Sequence, residues 1–260
     1  MNGFSWLWDW VVYLPDLLPG LWMALFLTAV TCVIGYPLGF ALALLTEARN
    51  PVVRWIAVVY VEIGRGIPAL VLLYLVYRGL PQLGVLLDAV PSALVAFIIT
   101  ASAYSTEMFR SSIAAVPRGQ FQASDALALS RLDTFRFVVL PQAGRIALPP
   151  LVNQTITIFH ITSLASVITV AEVMHDAYMS GAFNWQYMSV YTAAAVLYAA
   201  IAIPGALFAG RLEKKLSGGT RKWSNRPRRT LMSRLASARS AGTNPNPTQQ
   251  VNLSSNGANS

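Results

Sequence analysis

From Gly20 to Thr46 the chain runs without a single charged side chain. A helix needs only ~20 mainly apolar residues to cross the hydrocarbon core of a bilayer, and this stretch exceeds that length. More stretches of this kind follow. Pro51 to Gly79 is apolar but interrupted by Glu62 and by Arg65-Gly66-Ile67-Pro68. A proline lacks a backbone donor and clashes with the preceding turn, so this stretch divides into an amphipathic lead-in over 52–65 at the membrane surface and a short second span starting in 67–80. Pro91 to Val116 predicts a third span. Arg136 to Val170 predicts a fourth, longer than one crossing and broken by Pro141, Pro149, Pro150 and Asn153, and Met188 to Gly210 predicts a fifth. With 55% apolar and 12% charged residues and a mean hydropathy of +0.52, a soluble globular reading is excluded.

The formal charge of +8 is a property of one end. From Arg211 onward there are ten Lys/Arg and one acidic residue, a net +9, and Met1 to Gly210, with nine basic and ten acidic residues, sums to −1. Short cytoplasmic loops of membrane proteins are enriched in Lys and Arg, and here the pattern alternates. Arg49 and Arg54 follow span one, Arg118, Arg131 and Arg136 follow span three, and the tail follows span five. The intervening loops, 81–90 and 172–187, and the N-terminus carry none. Five spans with the N-terminus outside and the C-terminus in the cytoplasm satisfy every loop. The opening stretch, Met1 to Gly20, lacks the basic region and cleavage site of a signal peptide, and Trp6, Trp8, Trp10 and Tyr13 suit a segment at the membrane–water boundary. The expected organisation is an interfacial segment over 1–19, a membrane domain over 20–213 and a basic tail over 214–260. The tail holds too little apolar material to offset the entropy of ordering. It is read as a topology anchor beside anionic lipid, with nucleic-acid binding as the weaker alternative.

No phosphate-cradling Gly-x-x-x-x-Gly-Lys-Ser/Thr loop occurs, nor a His-Glu-x-x-His or Gly-x-Ser-x-Gly motif; Cys32 is the only cysteine. The chain is therefore not expected to be an enzyme, to need a cofactor or to bind a metal. The polar connection from Val116 to Gln142 stands out instead. Phe121, Ser124/Asp125, Leu127/Ala128 and Leu132 recur at three to four residues, which predicts two short helices meeting near Leu129-Ser130. Periodicity alone leaves two readings open: a surface pressed into a groove of another protein, with Gln122, Asp125 and Arg131 giving orientation, or an amphipathic linker resting on lipid. Glu107 and Arg110, three apart on one helix face, are read either as a pair that lowers the cost of charge near the bilayer or as a contact to solute or partner. Glu62 and Arg65 share that spacing and are expected to pair.

Several segments together resemble one family. RGIPALVLLYLVYRGLP at 65–81, AYSTEMFRSSIAAVPRGQ at 103–120, QASDALALS at 122–130, LPQAGRIALPPLVNQ at 140–154 and TSLASVITVAEV at 162–173 are similar in order and spacing to the polar amino-acid uptake permeases of ABC importers, over roughly 21–215. The resemblance implies an all-α integral membrane protein of five transmembrane helices with the type I ABC importer permease architecture and a cytoplasmic coupling-helix loop. It implies that Gly119, Gln122, Ala123, Ser124, Asp125, Ala128, Leu129 and Arg131 dock a cytoplasmic ABC ATPase dimer. Two permease subunits are implied to face each other, and a solute-binding protein outside the membrane to deliver a small polar solute. It also places His160, Ile161, Thr162 and Ser163 on the translocation path; Asn153, at an expected break in the fourth segment, and Glu107 are further candidates.

The sequence departs from the family pattern at three places. Gln122-Ala123-Ser124 stands where Glu-Ala-Ala is usual, and Ala128 where a Gly is usual. Gly reaches a positive φ that Ala resists, so a differently bent or already helical hinge is expected. His160-Ile161-Thr162 stands where Lys-Asp-Thr is usual, removing an acidic partner for a cationic solute. This implies either pairing with a different paralog that retains the acid, favoured over a homodimer, or a solute that does not depend on it. The expected function is the permease subunit of an ATP-driven importer in the bacterial inner membrane, working by alternating access. The alternative is a channel or structural subunit not coupled to ATP.

Overall fold

The computed structural model describes residues 6–217, and among them every regular element is helical. The expected tail over 214–260 starts inside the last helix, which runs to Ser217, and its remainder, 218–260, lies outside the described residues. The first helix, α1 (Trp6–Leu45), is 40 residues long, about 60 Å at 1.5 Å per residue and so longer than the ~30 Å apolar core. No helix break separates residues 6–19 from the first span. Packing explains the continuity. Leu17 is fully buried against Val173, Ala177 and Val190, and the Tyr13 hydroxyl donates to Gln186 Oε1 at 2.7 Å.

α2 (Pro51–Gly66) starts on Asn50, whose side chain accepts from the Val52 N–H at 2.9 Å. It ends as the sequence predicts: Ile67 is extended, Pro68 follows, and the chain turns by 106° into α3 (Ala69–Tyr74), which continues through irregular helical turns to Leu83. α2 buries Ala57, Val61 and Gly64 on one stripe, and its other faces expose Trp55, Ile56 and Val59.

α4 (Ala89–Ala114) is the central helix. It buries a run of small residues, among them Ala101, Ser102, Ala103, Ser105 and Thr106. Lipid tails are as apolar as leucine, so membrane helices gain little from hydrophobic burial against each other and associate by close packing of small residues and by hydrogen bonds. α1 supplies Gly35 and Gly39 to this face. A Cβ added at Gly39 would lie 2.7 Å from the Ser102 carbonyl oxygen and inside the Ser105 hydroxyl. The Thr106 hydroxyl, donating to Ser102 O at 2.7 Å, also lies 3.1 Å from Gly39 O. Gly64 of α2 meets Ala103 on another side of α4 in the same way.

Beyond the arched segment α5 (Arg118–Ala126) and α6 (Arg131–Asp133), helix continues through a π turn, Thr134–Val139, into α7 (Leu140–Ile161) and a 3-10 turn, Thr162–Ile168. The expected breaks at Pro149, Pro150 and Asn153 do not occur: α7 runs through all three, and Pro141 takes a first-turn position, where its missing N–H is not needed. The irregular backbone lies at the two ends of α7. Thr169 (φ 68°) ends the segment, Glu172 caps α8 (Val173–Asn184), and α9 (Tyr187–Ser217) closes the fold. Counting the bent α2–α3 pair as one crossing, five of the described segments are long and apolar enough to span a membrane.

Candidate functional site

The arch at 116–142 follows from local rules. α5 ends with Ala128 in the left-handed region at φ 53°, the Ala128 N–H donates to Asp125 O (3.0 Å) and the Leu129 N–H reaches back to Ser124 O (3.1 Å). These two bonds define a Schellman C-cap, normally completed by glycine. The expected helical or differently bent hinge is thus corrected: alanine takes the positive φ, because the two hydrogen bonds hold it there. Ser130 then starts α6, its side chain accepting from the Asp133 N–H at 3.1 Å. Val116, Val139 and Ala143 form a small buried cluster at the root of the arch, and Gln142 Nε2 bridges Val138 O (2.9 Å) and Gln120 Oε1 (3.3 Å).

On the arch the predicted residues divide. Gly119, Gln122, Ala123, Asp125, Ala128, Leu129 and Arg131 are exposed, and among the described residues Gln122, Asp125 and Arg131 have no side-chain partner. Ser124 is buried, donating to Gln120 O at 2.9 Å, so it faces the root and not the outer surface. Phe121, Leu127, Leu132 and Phe137 stand exposed beside the polar groups; Leu127 and Leu132 are 73% and 72% exposed.

The expected translocation residues occupy three environments. Asn153 and His160 are exposed on α7, seven residues apart and hence on one face. His160 and Ser163 line a groove of about 540 Å³ together with Ser166, Met174, Tyr191 and Tyr198. Thr162 is fully buried, its hydroxyl donating to Phe159 O at 2.7 Å, and Ile161 packs on the core around Leu27 and Phe97. Neither faces the groove. Glu107 lies elsewhere, in a cavity of about 570 Å³ bordered by Glu47, Arg110 and Phe135. It takes two contacts from Arg110, at 3.1 and 3.3 Å, so the expected pair forms. Arg65 sits 3.8 Å from Glu107 and over the Tyr104 ring, and its expected pairing with Glu62 is absent. α2 packs against α4, where Gly64 meets Ala103, and Glu107 is the carboxylate in reach of Arg65 there. Arg110 also reaches Glu47 of the α1–α2 connection at 3.7 Å.

Sequence reasoning missed Glu172. It is fully buried, yet both oxygens are used: Oε1 accepts from the His175 N–H (2.9 Å) and Oε2 from the Tyr198 hydroxyl (2.8 Å). It lies outside the long apolar helices, and burial pushes its carboxyl up to about 7 despite those bonds and that of the Met174 N–H. α1 makes room for it at Gly20, where a Cβ would come within 2.6 Å of the Glu172 carbonyl carbon. A glutamate three residues before a histidine in an N-cap position was the available signal, but the tyrosine partner is 26 residues away.

The geometry is accompanied by consistent likenesses. The family model described as "Binding-protein-dependent transport system inner membrane component" matches residues 35–218. The "Probable amino-acid ABC transporter permease protein YckA" of Bacillus subtilis (strain 168) is 37% identical over 77% of this chain and 89% of its own length. The "L-cystine transport system permease protein TcyB" of the same organism is 36% identical over 80% and 91%. Among solved structures, a chain of an amino acid ABC transporter crystallised with histidines superposes with a TM-score of 0.75 at 31% identity, covering 79% of this chain and 96% of that one. A methionine ABC transporter in an inward-facing conformation, at 19% identity and a TM-score of 0.60, shares the fold.

Proposed function

This chain belongs to the family of binding-protein-dependent transport system inner membrane components, and from that premise we propose how its parts divide the work of a permease subunit in an ATP-driven importer of polar amino acids. The arch of α5 and α6 is the docking surface for a separate ATP-hydrolysing dimer in the cytoplasm. Its exposed apolar residues supply contact area, and Gln122, Asp125 and Arg131, which have no partner among the described residues, supply orientation. That unpartnered face, held in shape by its own caps, is the observation that carries the reading. The arginine pattern supports a cytoplasmic position for this end of the bundle and an outside position for the N-terminus. The membrane body is the domain over 20–213, and residues before it extend the first helix toward the outer surface.

Transport proceeds by alternating access. ATP closes the partner dimer, and the arches of two facing permease subunits move together. The bundle then opens outward to receive solute from a binding protein, and hydrolysis resets it. This chain makes and breaks no bond; it converts displacement of the arch into displacement of α4 and α7, which the buried cluster around Val116 and Val139 ties to it. The groove beside His160 and Ser163 is its share of the solute path, and Asn153 extends the same face. The second permease subunit is a different paralog.

The test is Asp125→Lys combined with Ala128→Pro, since the proline ring fixes φ in the negative region and cannot follow Ala128 into the left-handed one. The expected outcome is loss of ATPase co-purification and of solute uptake with unchanged amounts of the protein in the membrane; Asp125→Lys alone gives a partial loss. Unchanged ATPase recruitment in both variants would favour a channel or structural subunit not coupled to ATP.

A further inference from the structure

The groove beside His160 has a mostly apolar wall that carries a few polar groups and no Asp, Glu, Lys or Arg. Its polar groups are the His160 imidazole and the hydroxyls of Ser163, Ser166, Tyr191 and Tyr198, and the rest of its lining is apolar. At about 540 Å³ it falls in the range of small-molecule sites.

The hydrogen-bond directions of these groups differ. A hydroxyl has one proton to donate and two lone pairs to accept with. Ser163 spends its proton on His160 O (2.7 Å), Ser166 on Ser163 O (2.7 Å) and Tyr198 on Glu172 Oε2 (2.8 Å). Three groove oxygens therefore present lone pairs and no proton, and they accept from an ammonium. The Tyr191 hydroxyl is not committed within the chain among the described residues, and with the His160 ring it can donate to a carboxylate. The nearby buried carboxyl, Glu172, is sealed from the groove: it is fully buried and its oxygens are taken by Tyr198 and by the backbone of α8. Glu172 thus acts on the groove through Tyr198, as a positioning residue and not as a counter-ion.

A net charge taken out of water onto a mostly apolar wall without a fixed opposite charge is disfavoured. A zwitterion with an uncharged side chain brings its own compensation. Resting on the reading of this groove as part of the solute path, we infer that its wall selects amino acids of zero net charge and discriminates against cationic and anionic side chains.

The experiment is equilibrium binding of radiolabelled L-glutamine, L-methionine, L-arginine and L-glutamate to the complete transporter, both permease chains with the ATPase, in lipid nanodiscs. Glutamine or methionine should bind at least tenfold more tightly than arginine and glutamate. Ser163→Asp in this chain should then raise arginine affinity at least tenfold and lower that for glutamate. Arginine or glutamate binding as tightly as the neutral pair, or an arginine affinity unmoved by Ser163→Asp, overturns the inference while leaving the solute path in place. If none of the four binds while ATP hydrolysis is intact, the reading of the groove as solute path fails, and the inference with it.

Discussion

At the scale of the residue, two positions hold more free energy than their neighbours. Ala128 sits at φ 53°, a conformation that costs an L-residue with a Cβ roughly 1–2 kcal/mol and glycine far less. Ala128→Gly should therefore raise the melting temperature of the solubilised subunit by a few degrees, at about 2–4 °C per kcal/mol for a chain of this size, and leave ATPase recruitment in place. Differential scanning fluorimetry with co-purification reads both. Glu172 has the opposite character. Its carboxyl is raised from 4.5 to about 7 by burial, so the folded state binds its proton more tightly than the unfolded state does. Its contribution is fully present below about pH 4.5 and is lost as pH rises through 7, at up to about 1.4 kcal/mol per pH unit. Glu172→Gln cannot titrate, and it should flatten the pH dependence of thermal stability between pH 4.5 and 7. A slope identical to wild type would show that other groups govern that window.

At the scale of the element, the α1–α4 contact sets how closely the bundle can close. Gly39 touches α4, and a side chain there would meet backbone as well as the Ser105 hydroxyl: the Ser102 carbonyl oxygen, which cannot turn away, is 2.7 Å from a Cβ. Gly39→Leu should separate the two helices and break the approach of Thr106 to Gly39 O, a destabilisation of roughly 1–3 kcal/mol or more. A cysteine pair placed across the α1–α4 contact should lose cross-linking efficiency in that variant and keep it in Gly66→Ala, where the added Cβ meets nothing within 4 Å. The ion pairs linking Glu47, Arg110, Glu107 and Arg65 join the α1–α2 connection, α2 and α4. They are half exposed, and exposed pairs contribute ~0–1 kcal/mol each, so they set register between the elements more than they hold them together.

At the scale of the whole molecule, the exposed groove at His160 and the exposed arch are the surfaces a permease pair and its ATPase would share. Tagged protein purified from its native membrane should bring down a second permease chain of different mass in equal amount, as read by intact-protein mass spectrometry. A homodimer with the ATPase as its sole companion would contradict that pairing.

Much of this was legible in residue order because it depends on neighbours in the chain. Apolar run length determines which segments cross, arginine placement predicts which loops share a side, and Ile67-Pro68 determines where the second crossing bends. Ser130 and the spacing of Phe121, Leu127 and Leu132 determine two short helices with a turn between them. What only the tertiary structure decided depends on rotation and on distant partners. Whether Ile161 and Thr162 face the core or the groove turns on about 100° per residue around one helix, which packing against α1 and α4 settles. Arg65 finds Glu107, and not the glutamate one turn away, because two helices cross there. Residues 6–19 continue the first helix because α8 and α9 offer Leu17 a buried site. Glu172 is a sealed carboxyl because Tyr198 and Gly20, far apart in sequence, close over it. No local pattern encodes such a meeting, since its energy exists only once the helices have packed.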